Sequence, residues 1–188
     1  QNIHHNNYIH FSIDLSDFDA LKAFKFKLPP VAQRLVLINN AGSLGDIAHW
    51  GQHSAEMIAR TMHTNLTAHL LLMNKFILAY QHVSLPKLII NISSGAAKNP
   101  YEAWGMYCAS KAALANLTEC LAEEYKGKNI YVNCLALGSV QTEMLNKAFP
   151  GFEAQTTAEE MAQFIFDFAT QQPILINGKV IPVSVETT

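Results

Sequence analysis

Short, mainly apolar runs recur along this chain, and each gives way to a stretch with helical spacing. The runs are Leu35-Val36-Leu37-Ile38, Leu88-Ile89-Ile90 and Ile130 to Leu135. Strands covered on both faces read this way, because neither face needs the polar alternation of a half-exposed sheet. Between the first two runs lies a long helical pattern, Ser54 to Tyr80. Its apolar residues Ile58, Met62, Leu66, Leu70, Met73 and Ile77 return every three or four positions. A second helix reads from Tyr107 to Tyr125. Connections of this length are crossovers, so the pattern predicts an α/β fold: a doubly wound parallel sheet in three layers, with helices on both faces.

The ends of the chain extend the pattern. Tyr8 to Ile13 alternates like a strand and meets Asp14-Leu15-Ser16-Asp17, where Ser16 or Asp17 suits a helix cap. A helix to about Phe26 follows, stopped by Pro29-Pro30. Past Gly138, short helices read over Thr142–Ala148 and Ala158–Thr170. Asn177-Gly178 then turns into a last strand, Val180 to Val185. No linker or repeat divides residues 1–188, so one domain is expected.

Several function classes are disfavoured by composition. With 188 residues, 49% hydrophobic and a formal net charge of −2, the chain carries no basic face for nucleic acid. No apolar stretch reaches membrane-spanning length. Gln1 to His10 is polar and histidine-rich, and no secretory leader is expected in it. Three cysteines at unrelated spacings read as free thiols, which points to a cytoplasmic protein. The eight histidines show no metal-binding spacing, so no metal is expected.

In open parallel sheets, ligands bind beyond the carboxyl ends of the strands. Polar residues gather at those ends here: Asp14, Asn39, Ser94 and the Gly138–Thr142 loop. Tyr107 and Lys111 are four apart on the following helix, hence on one face. An ammonium beside a phenol is expected to bring the phenol's pKa down toward neutrality, where general acid–base work is efficient. Ser94 is placed to hold a substrate oxygen. Bland readings stand beside these. Asp14 also suits a helix cap, Asn39-Asn40-Ala41-Gly42 also suits a plain turn, and a lone Tyr-x-x-x-Lys is a common spacing.

Taken together, Asn39-Asn40-Ala41-Gly42, Asn65, Ser94, Tyr107 with Lys111 and the loop Leu137 to Thr142 resemble the short-chain dehydrogenase/reductase family over nearly the whole chain. The resemblance implies a Rossmann-like fold and catalytic roles for Asn65, Ser94, Tyr107 and Lys111. Tyr107 would exchange the proton and Ser94 would orient the carbonyl. Lys111 would bind the nicotinamide ribose and lower the phenol's pKa, and Asn65 would support a water relay. It also implies cofactor contacts at Asp14, Asn39, Ala41, Gly42, Tyr107, Lys111, Val140 and Thr142. The string from Asn91 to Cys108, with Tyr101 and Trp104, is similar to the benzil reductase and sepiapterin reductase branch. That likeness implies NADP(H) rather than NAD(H), a small carbonyl substrate, Tyr101 and Trp104 at the substrate mouth, and a homodimer or homotetramer. Tyr101 and Trp104 also read as ordinary loop aromatics packing on the helix start.

Two departures bear on these expectations. The Gly-rich phosphate loop and the first β-α-β unit of the family have no counterpart in the 188 residues. The domain thus reads as incomplete at its front, with cofactor binding weakened in this chain. Leu137-Gly138 stands where the family has Pro-Gly. The expected activity is reduction of a ketone or dicarbonyl by NADP(H). The alternative is a non-catalytic remnant of the fold that serves oligomerisation or partner binding.

Overall fold

The structure is a computed structural model, and it describes residues 9–29, 31–171 and 176–184. Four parallel strands form its centre: β1 (Leu35–Asn39), β2 (Lys87–Ser94), β3 (Ile130–Leu137) and β6 (Val180–Val183), in that spatial order. Registers such as Asn39 opposite Asn91 and Ser94 opposite Leu137 bring the carboxyl ends to one rim. The helices are α1 (Phe18–Ala23), α2 (Ala55–Met62), α3 (Ala68–Tyr80), α4 (Gly105–Glu124), α5 (Glu143–Ala148) and α6 (Ala158–Gln171). Two short strands, β4 (Val140–Gln141) and β5 (Thr156–Thr157), pair beside the main sheet.

Two buried clusters explain the layering. On one face Leu35, Ile89 and Val132 meet Met73, Phe76 and Ile77 of α3 and Leu114 of α4. On the other, Leu88, Ile90, Ile92 and Leu135 meet Met161 and Phe168 of α6. Successive residues of β2 serve opposite faces, as the two-residue period of a strand requires. That is why Leu88 to Ile92 must be apolar almost throughout. The three-layer α/β arrangement read from the sequence is present.

The long helix expected over Ser54–Tyr80 is present with an interruption. Ser54 caps it, its side chain accepting from the Met57 N–H. Between α2 and α3, His63–Thr67 widens into a π-helical turn closed by the Ala68 N–H on the His63 carbonyl. Such turns insert one extra residue into a helix and often mark functional positions.

At the front the expectations need correction. Residues 9–13 form no strand, and Tyr8 lies outside the described residues. Phe11 instead packs edge-on against Phe24, which stacks likewise on Phe26, and Phe26 on Phe76. This chain of rings draws the segment onto α3 rather than onto the sheet edge. For the same reason α1 stops at Ala23: Phe24 turns extended, so that Phe26 reaches Phe76 and Tyr80. Asp17 is the residue that caps α1. The β4–β5 pair had no signal in the sequence, being two residues long on each side. Of the predicted last strand, Val185 lies outside the described residues.

Ile89 is 0% exposed between two helices, whereas Leu78 is 59% exposed on the outside of α3. Ile89→Ala should lower stability by about 2–5 kcal/mol, through lost burial and the cavity left behind. Leu78→Ala should change it by less than about 0.5 kcal/mol. Urea unfolding followed by circular dichroism measures both.

Candidate active site

A cleft of about 680 Å³ opens at the carboxyl ends of β1, β2 and β3. Its floor is built by polar residues that the strands deliver. At the end of β1, Asn39 donates to Asn91 Oδ1 at 2.8 Å; Asn91 donates to Thr118 Oγ1 at 2.9 Å, and Thr118 to the Leu114 carbonyl at 3.0 Å. This buried ladder ties β1 and β2 to α4. Asn39 therefore lies beneath the cleft as a strut, and the lining is made by Asn40, Ala41 and Gly42.

Asn65 sits in the π-helical turn, fully buried. Its Oδ1 accepts from the Ser43 N–H at 2.7 Å. Its Nδ2 donates to the Ser43 carbonyl at 2.7 Å and to Ser110 Oγ at 3.2 Å. One side chain thus fastens the loop after Gly42 to α4. Gly42 passes close to both: a Cβ there would stand 3.6 Å from Asn65 Oδ1 and 3.6 Å from Lys111 Nζ.

Lys111 is 3% exposed, and its Nζ donates to the Ile92 carbonyl at 2.8 Å. Among the described residues no carboxylate pairs with it. Burial pulls its pKa down to about 8. Tyr107 lies one turn before it, the Lys111 Nζ standing 5.6 Å from the ring centre, so the shared helix face read from the sequence is real. The expected lowering of the Tyr107 pKa is not. Burial pushes the phenol above its usual value, with only partial opposition from the nearby Ser94 hydroxyl. The ammonium is turned toward the Ile92 carbonyl, which explains why it does not offset burial. A phenol held up in this way stays protonated at neutral pH, which is the form that donates a proton.

Ser94, Tyr101, Trp104, Val140 and Thr142 all line the cleft. Thr142 also caps α5, its Oγ1 accepting from the Leu145 N–H at 3.2 Å. Asp14 does not line it. Its carboxylate accepts from the Ser16 N–H and Oγ, both at 2.8 Å, which keeps its pKa low. It borders a separate hollow of about 390 Å³ with Ser43, Asp46, Arg60 and Thr64. The start of α4 is fixed by close packing: a Cβ on Gly105 would come within 2.9 Å of Trp50 Nε1, so only glycine admits the indole there.

Sequence reading missed two groups. His69 is buried near Lys111, and desolvation lowers its pKa to about 4, with the Lys111 charge acting in the same direction. Its spacing of four from Asn65 was the available signal. Met144, Leu145, Ala148, Phe149 and Phe152 form the apolar wall of the cleft. Their signal was the pair of phenylalanines flanking Pro150-Gly151, past the last motif.

The family model for short chain dehydrogenase matches residues 1–152. The chain belongs to the short-chain dehydrogenase family. It is 35% identical over 148 residues to a benzil reductase ((S)-benzoin forming) of Bacillus cereus, covering 75% of this chain and 59% of that protein. It is 34% identical over 139 residues to a sepiapterin reductase of Xenopus laevis, covering 72% of this chain and 51% of that protein. The chain therefore spans between half and three-fifths of the length of these two relatives. Among solved structures, a protein described as an NAD(P)-dependent gluconate 5-dehydrogenase from Beutenbergia cavernae, with bound NADP, superposes with a TM-score of 0.80 at 25% identity. That match covers 90% of this chain and 72% of that one.

The buried, unpaired Lys111 has a stability consequence with a definite sign. Its folded pKa of about 8 lies below lysine's ordinary value of 10.5, so the unfolded chain binds the proton more tightly and stability rises as pH climbs from about 8 toward 10.5. Lys111→Met should stabilise the fold at pH 7 by roughly 1–3 kcal/mol after allowing for the lost hydrogen bond. That gain should shrink at pH 9.5 in urea unfolding.

Proposed function

We propose that this chain forms the catalytic part of a carbonyl reductase that uses NADP(H) in preference to NAD(H). The observation that carries the reading is the meeting of Ser94, Tyr107 and Lys111 in one cleft. The names of the relatives support the choice of reaction, the NADP bound to the structural neighbour supports a nicotinamide cofactor, and the preference for NADP(H) rests on the likeness to the benzil and sepiapterin reductase branch.

The residues fit the nicotinamide half of such a cofactor. Lys111 has donors left after the Ile92 carbonyl is served, and the Gly42 backbone leaves space beside Lys111 and Asn65. Lys111 and the Ala41-Gly42 backbone would hold the ribose side. Val140 and Thr142 would hold the carboxamide, and Asp14 would contact the adenine side from its neighbouring hollow. A bound nicotinamide supplies the hydride.

The rest falls to the protein. Ser94 donates a hydrogen bond to the substrate oxygen and favours the charge that builds on it, without solvent having to reorganise. Tyr107, protonated because burial raises its pKa, delivers its proton to that oxygen. Lys111 then faces the phenolate with its positive charge, and Asn65 keeps the Ser43 loop and Ser110 in register around the pair. We assign the protein to the cytoplasm on its free thiols, and to a homodimer or homotetramer on the resemblance to the family.

Tyr107→Phe should cut turnover of a diketone with NADPH by at least about 100-fold, the usual worth of a positioned proton donor. Circular dichroism should be unchanged. Turnover that survives the substitution would remove Tyr107 from the reaction. In the reductive direction kcat/KM should fall as pH rises through about 8, because Lys111 loses its proton there. A flat profile between pH 6 and pH 10 would contradict a role for its charge.

A further inference from the structure

The cleft is polar on one side only. Ser94, Tyr107 and Lys111 stand against a wall of Met144, Leu145, Ala148, Phe149 and Phe152, and among the described residues Lys111 is the one charged side chain in the lining. Such a space favours an uncharged ligand that offers one carbonyl to the polar side and apolar surface to the other.

Trp104 joins the two sides. Its ring makes a T-shaped pair with Tyr107, at 5.7 Å between centroids and 82° between planes, and a tilted one with Tyr101, at 5.7 Å and 48°. The one stacked partner among the described residues is Phe149, at 5.4 Å and 25°. Rings in contact stand about 3.5 Å apart, so a third ring between them needs about 7 Å between faces. No flat ligand can enter that stack while Phe149 keeps its place. Phe149 is also easy to move. It follows α5, a helix of six residues with none buried, and is itself 44% exposed.

We propose that Phe149 occupies the position of the substrate's own ring on Trp104 and thereby sorts substrates. Uncharged ketones with an aromatic ring next to the carbonyl exchange one stack for another and displace it. Small aliphatic ketones have no ring to exchange and leave Phe149 in place. A ring seated on Trp104 remains in the cleft that Tyr107 and Ser94 also line, so its adjoining carbonyl shares that space with the phenol and the Ser94 hydroxyl. The proposal rests on the carbonyl-reducing reading above.

The test is calorimetric titration of the whole chain, with NADP⁺ present throughout so that no hydride can be transferred, using acetylbenzoyl as the aryl diketone and diacetyl as the aliphatic one. Phe149→Ala should bind acetylbenzoyl about two- to tenfold more tightly than the unchanged protein, the worth of one aromatic pair no longer broken. Diacetyl affinity should not change. Phe149→Leu, which keeps bulk without a ring, should act in the same direction, whereas Trp104→Ala, which removes the stack from the free and the bound state alike, should leave acetylbenzoyl affinity within about twofold and abolish the gain when combined with Phe149→Ala. Weaker acetylbenzoyl binding in Phe149→Ala would make Phe149 a fixed wall and overturn the proposal. So would an unchanged affinity, or an equal change for both ketones. If the unchanged protein binds both ketones and only this selectivity is missing, Phe149's role fails alone. If it binds neither ketone, the carbonyl reading fails and this inference with it.

Discussion

A single ammonium buried without a counter-ion governs this site. Among the described residues Lys111 donates one hydrogen bond, to the Ile92 carbonyl, and lies where water is almost absent. Desolvation on this scale is ordinarily avoided by pairing with a carboxylate. Here it is tolerated, and the surroundings are arranged around it. Asn65 takes its hydrogen bonds from the Ser43 loop and Ser110, leaving the space between Asn65 and Lys111 to a glycine. His69, beside the same charge, stays neutral down to about pH 4. The positive field in the cleft comes from one atom with no negative group beside it to cancel it.

The order of layers and the place of the cleft at the carboxyl ends of the strands were legible in the sequence because each rested on a repeated physical pattern, although Asp14 and Asn39, read as part of the rim, do not line it. Leu88 to Ile92 faces helices on both sides and is apolar but for Asn91, whose side chain is hydrogen-bonded to Asn39 and Thr118. Tyr107 and Lys111 share a helix face because four residues make about one turn. The pieces that were not legible depend on contacts between distant residues. Residues 9–13 look like a strand by alternation, yet Phe11 is claimed by Phe24 and the ring cluster over α3. The π-helical turn at His63–Thr67 cannot be read from helical spacing, because one extra residue only shifts the phase of a pattern that remains apolar.

Electrostatics was the less readable part of the site. A lysine four residues from a tyrosine suggests a lowered phenol pKa, and charge alone would act in that direction. The structure reverses the sign because burial acts on the phenol as well, and the ammonium points at a carbonyl. Sequence spacing states which groups are neighbours. It does not state how much water each retains, and that decided the outcome. The apolar wall was hidden for a related reason: Phe149 and Phe152 follow a short helix whose place is set by the Val140–Gln141 pairing with Thr156–Thr157.

The buried ladder from Asn39 through Asn91 to Thr118 has a kinetic consequence. Its first bond joins residues 52 apart in the chain, and the Asn65–Ser110 bond joins residues 45 apart. Neither can close until the intervening crossovers have been laid down, and loop-closure entropy makes such distant pairings slow. The helices can form from local sequence, but the cleft is assembled only when the last of these long loops closes. A partly folded molecule of this protein can therefore look largely helical and still have no site.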